Sequence, residues 1–452
     1  MKRFLLPAAF LALAACGAPG HLDPARPGPA RPAADADGFV PLFNGVDLEG
    51  WAPVNCHEST WTVRDGMIVC SGVPTGELRT ERMYENFIVE LEWRHMKPQG
   101  NAGFFVWSDP LPARGQPFTR AVEVQVLDGR ETDNYTSHGD VFPIHGAVMT
   151  PDRPHPGGWA RCLPSEKRAK PSPEWNHYRV TCVSGTLKLE VNGEEVSGGY
   201  DIDPRKGYIC LESEGSEAHF RNLRIKELPA TEMVMHSGNV ADRAVGFRSL
   251  YNGVDLEGWR VGEGQEGHWK ASDWKLVYDG EGDHLWSEEE FGDFELIADW
   301  RWSGGALEAA RPVILPNGSV QHDDDGAAVE AVVPDAGDSG IYLRGSDKAQ
   351  VNIWCWPVGS GEVWGYRTDA SMPAEVRAAC TPKVAADAQI GEWNRFLIRM
   401  VGETLTVDLN GERVIDGARL PGVAARGPIA LQHHGAPIEF ANLFVRELAR
   451  SR

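Results

Sequence analysis

The chain has 452 residues, a formal net charge of -21, 42% hydrophobic residues and 16 tryptophans. A field of that sign repels nucleic-acid phosphate and anionic lipid headgroups, so neither is expected as an electrostatic partner, and neutral ligands remain. The length exceeds what a single core usually supports, so two domains are expected.

In chain order, Lys2 and Arg3 precede an apolar stretch from Phe4 to Ala15. That stretch is too short to cross a bilayer but has the length of a signal-peptide core, so residues 1–15 are read as a signal peptide. It ends in Leu13-Ala14-Ala15-Cys16, which resembles the lipobox of bacterial lipoproteins. The resemblance implies lipidation of Cys16 and a chain anchored to the membrane of the cell envelope. Gly17 after that cysteine implies, by the enterobacterial sorting rule, the outer membrane on its periplasmic side. Residues 16–37 are rich in Pro and Ala and poor in large apolar side chains, which predicts a disordered stalk.

The remainder is one module written twice. Phe39-Val-Pro-Leu-Phe-Asn-Gly-Val-Asp-Leu-Glu-Gly-Trp51 returns as Phe247-Arg-Ser-Leu-Tyr-Asn-Gly-Val-Asp-Leu-Glu-Gly-Trp259. Glu174-Trp-Asn-His-Tyr178 returns as Glu392-Trp-Asn-Arg-Phe396, and Phe220-Arg-Asn-Leu-Arg-Ile-Lys-Glu-Leu228 as Phe440-Ala-Asn-Leu-Phe-Val-Arg-Glu-Leu448. The repeat is far longer than a solenoid period, so each copy is a whole domain: 38–228 and 246–448, joined by a linker at 229–245. With separate cores and a short polar linker, each copy is expected to fold alone. An insertion in the second copy, Gly304 to Gly337, is read as a long surface loop.

Within each copy the patterns are strand-like. Asn86 to Arg94 and Phe294 to Arg301 alternate apolar with polar residues at period two. Tyr178 to Val183 and Thr186 to Val191, followed by Asn192-Gly193, read as strands and hairpin turns. No window sustains a helical period. Many antiparallel strands in about 200 residues predict a two-sheet sandwich, so the fold class is all-β. Seven cysteines follow Cys16, an odd number, and Cys355–Cys380 is the one bridge available within the second copy.

Further motifs run in a recognisable order: Leu42 to Trp51, Leu285 to Leu296, Asn101-Ala-Gly-Phe-Phe-Val-Trp107 with its counterpart Ser339-Gly-Ile-Tyr-Leu-Arg-Gly345, Glu123-Val-Gln-Val-Leu-Asp128, and Gly427 to Gly435. Together they resemble the 3-keto-disaccharide (3-keto-glycoside) hydrolase domain family, also known as DUF1080, over nearly the full length of both copies. The resemblance implies two tandem concanavalin-A-like jelly rolls acting on a small carbohydrate. A C3 ketone acidifies the C2 proton, so a base can form an enediolate and the C1 substituent can leave by elimination before water adds. Such chemistry calls for a general base, donors or a divalent metal for the enediolate oxygen, and an acid for the leaving group. It also implies a separate sugar 3-dehydrogenase upstream.

For the first copy, Glu123 and Asp128 are candidate catalytic groups, with Gln125 sharing the face of Glu123 by alternation. His138 and His145 are candidates for proton transfer, and with Asp140 between them they form a candidate metal set. Trp107 and Glu212 are candidate substrate contacts. At the matching strand of the second copy the carboxylates are gone: Gln350, Asn352 and Cys355 stand there. That copy offers Arg344, Asn352, Trp354, Tyr366 and Gln432 as sugar-binding groups and His434 as a catalytic one. Acids with histidines in one concavity favour an enzyme. Trp-lined, acid-free concavities favour the alternative, a non-catalytic glycan-binding lipoprotein of lectin-like fold.

Overall fold

The computed structural model describes residues 33–231, 234–263 and 265–449. The signal peptide, Cys16 and most of the stalk lie outside the described residues. No described helix is long and apolar enough to cross a membrane.

The first copy folds as two packed antiparallel sheets. The larger has the order Val148–Pro151, Glu194–Asp203, Thr186–Val191, Asn176–Val183, Phe87–His95, Ala218–Glu227, Met67–Cys70 and Trp61–Arg64. The second runs Trp51–Val54, Gly76–Thr80, Tyr208–Ser213, Asn101–Ser108, Ala121–Leu127 and Val141–Ile144. Alternation explains the layering. Along Phe87–His95, Phe87, Val89, Leu91 and Trp93 enter the core, while along Ala121–Leu127 Val122, Val124 and Val126 meet them from the other sheet. Hairpin turns set the register: Ser184-Gly185 and Asn192-Gly193 both hold two successive positive φ angles, the requirement of a type I′ turn.

The second copy repeats this layout. Its larger sheet is Trp269–Ser272, Lys275–Tyr278, Ile438–Glu447, Phe294–Trp302, Asn394–Val401, Thr404–Leu409 and Glu412–Arg419; the smaller is Trp259–Arg260, Leu285–Phe291, Gly427–Leu431, Asp338–Leu343 and Ser346–Trp354. Two main hydrophobic cores result, each drawn from one copy only. The counterpart of Val141–Ile144 is replaced by the short helices Trp364–Arg367 and Ala374–Ala379.

Two expectations change. The insertion at 304–337 is not an irregular loop: Leu307–Pro312 pairs with Glu330–Asp335 as a projecting hairpin, with Leu307 and Val332 exposed. Its polar, Gly-rich composition hid the pairing because both faces are wet, so no alternation marks it. The cysteines from Cys56 to Cys380 are free thiols; Cys355 Sγ accepts from the Ala336 N–H at 3.4 Å rather than bridging to buried Cys380.

Candidate active site

The site lies on the outward face of the six-stranded sheet. The valines of Ala121–Leu127 point into the core, which leaves Glu123 and Gln125 outward. Antiparallel register sets Phe105 and Phe142 on either side of Glu123, Gly103 opposite Gln125, and Glu212 opposite Glu77. Three carboxyl side chains from three strands are thereby buried on one face. Glu77 is fully buried, Glu212 is 2% exposed and Glu123 7% exposed.

Gly103 explains how two of them fit. A Cβ at that position would lie 2.7 Å from Glu212 Oε2 and 3.1 Å from Glu123 Oε1. The two oxygens therefore straddle bare backbone and lie at most about 6 Å apart, close enough for the two carboxyls to act on each other. Glu212 Oε2 is buried with no hydrogen-bond partner. Glu77 accepts from Thr119 N–H at 2.6 Å and from Thr119 Oγ1 at 3.1 Å. Gln125 is oriented from both ends: its Nε2 donates to Asn101 Oδ1 at 3.0 Å, and its Oε1 accepts from Arg161 Nη2 at 3.0 Å. The Arg161 guanidinium lies 3.8 Å over Phe142 and donates to Asp140 at 2.7 Å. Glu214 completes the group, held by the Asn101 amide.

Desolvation dominates the electrostatics. It pushes Glu77 up to about 7, opposed by the Thr119 donors. Burial, then the charge of Glu214, raise Glu123 to about 8, and burial with the charge of Glu123 pushes Glu212 well above the carboxylate range. Glu214 is raised as well, first by burial. Like charges this close cannot all ionise together, so near neutrality the group holds both protonated and ionised carboxyls.

Other expected site residues take different roles. Asp128 follows the strand end and accepts from the Gln99 and Ser172 N–H groups at 3.2 and 3.1 Å, pinning two loops rather than facing the carboxyls. His138, Asp140 and His145 do not converge as a metal set. His138 bonds Glu131 at 2.6 Å, Asp140 is taken up by Thr136 and Arg161, and His145 stacks on Phe118 at 6.4 Å. Among the described residues no three His, Cys, Asp or Glu are disposed to hold a metal. The shared loop placed the three near each other in sequence, but turns at Gly139 and Gly146, both at positive φ, send them apart. Burial lowers the His145 pKa, and the ring sits at an aromatic rim with Phe118 and Phe105. Trp107 is a core residue, fully buried, its indole donating to Glu85 O at 2.8 Å.

In the second copy Arg344, Trp354 and Tyr366 are likewise structural. Arg344 is buried and binds the carbonyls of Gly292 and Gly402 and the Asp293 carboxylate. The Trp354 indole donates to Gly359 O, and Tyr366 packs in the core with its hydroxyl on Pro421 O. The register places Gln350 where the first copy has Glu123, Gln432 where it has Glu212, Tyr342 for Phe105, and His284 and Trp286 for Glu77 and Arg79. The amides bond to each other: Gln350 Nε2 to Gln432 Oε1 at 2.5 Å, and Gln432 Nε2 to Tyr342 OH at 2.9 Å. Trp286 stacks on Tyr342, Asn352 Oδ1 is buried without a partner, and burial keeps His284 below its ordinary pKa. His434 is exposed past the end of its strand and exerts its charge on Asp338, which burial raises to about 6.

Sequence reasoning missed Glu77, Arg161 and Thr119. Glu77 sits in Gly76-Glu-Leu-Arg-Thr80, whose alternation was there to read, and its replacement by His284 marks it as one of the carboxylates the second copy lacks. Arg161 and Thr119 lie in loops, where only the folded chain shows what they reach.

Residues 38–226 and 246–446 each match the family model described as the 3-keto-α-glucoside-1,2-lyase-like domain. A 3-keto-disaccharide hydrolase of Bacteroides thetaiotaomicron is 23% identical over 249 residues, covering 43% of this chain and 80% of that protein. Among solved structures, a candidate glycosyl hydrolase of Parabacteroides distasonis is 26% identical with a TM-score of 0.34, over 43% of this chain and 95% of that one. The β-glucanase of Bacillus licheniformis is 14% identical with a TM-score of 0.30, over 42% of this chain and 97% of that one.

Proposed function

Because this chain belongs to the 3-keto-α-glucoside-1,2-lyase-like family, we propose that its first sandwich cleaves the glycosidic bond of a 3-keto-disaccharide by elimination. One observation carries the reading: Glu123 and Glu212 flank Gly103 as buried carboxyls of raised pKa, and the second copy holds amides at both places. In the ionised form one carboxyl removes the C2 proton, and the C–H pair becomes the C2–C3 double bond of the enediolate. The electrons return to form the C1–C2 double bond, the C1–O bond breaks, and the protonated carboxyl supplies a proton to the leaving oxygen. Water then adds across the double bond, with no net oxidation. A base with a pKa near the operating pH suits this task. Arg161, held in place by Asp140 and by the Gln125 carbonyl oxygen, keeps guanidinium N–H groups to offer toward the enediolate oxygen. Phe105, Phe118 and Phe142 supply the apolar lining.

The test is turnover of a 3-keto-disaccharide and of its unoxidised parent by the full chain. Only the keto sugar should react, and Glu123→Gln and Glu212→Gln should each slow the reaction by about 10²–10⁴-fold. Equal turnover of both sugars, or full activity in both variants, would overturn the reading.

For the second copy, the bonded amide chain and the Trp286–Tyr342 stack favour binding of a neutral sugar without catalysis. Placement at the cell envelope through a lipidated Cys16, downstream of a sugar 3-dehydrogenase, remains part of the proposal: the lipobox-like ending supports the first, and the need for a C3 ketone the second.

A further inference from the structure

The loop between Asn101–Ser108 and Ala121–Leu127 leaves the first sandwich and is gripped by the second. Both sandwiches belong to one compact unit, Ala33–Arg452. Arg395 Nη2 donates to Pro112 O at 2.9 Å, and the Asn442 amide donates to Ala113 O and Gln116 O at 3.2 and 3.0 Å. The Gly115 N–H donates to Asp299 Oδ2 at 2.8 Å. Asp299, fully buried, is itself held by Arg395 at 2.6 and 2.8 Å and by Asn442 at 2.8 Å. Gly115 is required there: its φ is +65°, and a Cβ would lie 2.2 Å from Trp393 Cγ. The same loop continues through Phe118, whose carbonyl accepts from Ala113 N–H, to Thr119 and its two hydrogen bonds to Glu77.

The duplication supplies an internal comparison. The first copy has His177 where the second has Arg395, Glu92 for Asp299 and Asn222 for Asn442. It also has Arg221 where the second has Ala441. The Arg221 guanidinium lies 3.9 Å over Trp175 and bonds Glu92 at 2.6 Å, covering the tryptophan face that in the second copy belongs to Trp393 and receives Gly115. The second copy is thus the one cleared for docking. A separate contact flanks the other side of Glu77: Asp273 Oδ1 accepts from Thr75 N–H at 2.7 Å, and the Asp273 charge is felt by Glu214.

We propose that the second sandwich is a working part of the first sandwich's site, with Asp299, Arg395 and Asn442 as positioning residues that hold the Thr119 donors against Glu77. This rests on the carboxyl group being the catalytic site. The anchors sit in a sheet with its own core, so they fix the loop more firmly than the loop's own turns can. Thr119 donates to the ionised form of Glu77, so slackening the loop raises the Glu77 pKa further. Arg79, Cys210, Glu123 and Glu212 also act on Glu77 and keep their places when the loop is loosened.

The test is Ala441→Arg in the full chain, which installs the residue that the same fold accepts at Arg221. Hydrogen exchange should quicken by about tenfold or more at the Gly115 and Thr119 amides. The Glu77 titration, followed by carboxyl ¹³C NMR, should move to higher pH; kcat on a 3-keto-disaccharide should fall and its pH profile shift the same way, with KM nearly constant. Arg395→His, again the first copy's residue, should reproduce the effect and serves if Ala441→Arg does not fold. Faster exchange with an unmoved Glu77 titration would show a merely structural interface and overturn the proposal. If neither the native chain nor the variants turn over keto sugars, the functional reading fails, while the titration still decides the coupling.

Discussion

At the residue scale, the buried carboxyls should cost stability as pH rises. Glu77 and Glu123 are lifted to about 7 and about 8, and Glu212 is pushed well above the ordinary carboxyl range, each first by burial. The folded state then binds more protons than the unfolded chain between the ordinary carboxyl range and those values. Their contribution is fully present below the unfolded pKa and is lost as pH climbs through the folded one. The melting temperature should therefore fall between about pH 5 and pH 9, and Glu123→Gln should stabilise the alkaline side by about 1–3 kcal/mol while changing little at the acid end. Thermal melts across that range check it; a flat profile, or a variant equally stabilised at both ends, would contradict it. The same residues show why alternation placed Glu123 and Gln125 on one face but not their depth: period two assigns a face, whereas burial depends on what Phe105, Phe118 and Phe142 cover.

Turn chemistry operates at the scale of elements. Asn192 adopts φ +49°, its carbonyl oxygen Oδ1 accepts from His177 N–H at 2.9 Å, and its amide donates to Arg168 O at 2.8 Å. Asn410 does the same for Arg395 N–H at 2.9 Å and Ala386 O at 2.8 Å. Replacing Asn192 by Ala removes both bonds and leaves a less tolerant residue at positive φ, so the first sandwich should lose about 1–3 kcal/mol in urea melts. A loss within error of zero would show that the turn does not hold the register. These hairpins were readable because Asn-Gly between alternating strands has few other solutions. The Leu307–Pro312 hairpin was not, since neither of its faces is packed against a core.

At the scale of the whole molecule, the described residues form two main cores with contacts running between the sandwiches. Separate cores follow from duplication, and the linker reading alone suggests independence, yet the loop gripped by Asp299 ties the first copy's site to the second copy's sheet. The envelope placement also belongs to this scale. If Cys16 is lipidated, Cys16→Ser should move the protein from the membrane fraction to the soluble one; unchanged fractionation would refute the anchor.

The amino-acid sequence by itself determined the all-β class, the duplication, the strand pairing around the hairpins and the loss of carboxylates from the second copy. Each of these is written in local period or in the comparison of one copy with the other. Tertiary structure alone decided that Glu77 and Glu212 join Glu123, that Trp107, Arg344 and Tyr366 serve packing, that His138, Asp140 and His145 part company, and that Gly115 docks against Trp393 and Asp299. Those outcomes depend on which strands become neighbours and on what each side chain meets across a sheet or between sandwiches. Such contacts join residues far apart in sequence, and no local pattern encodes them.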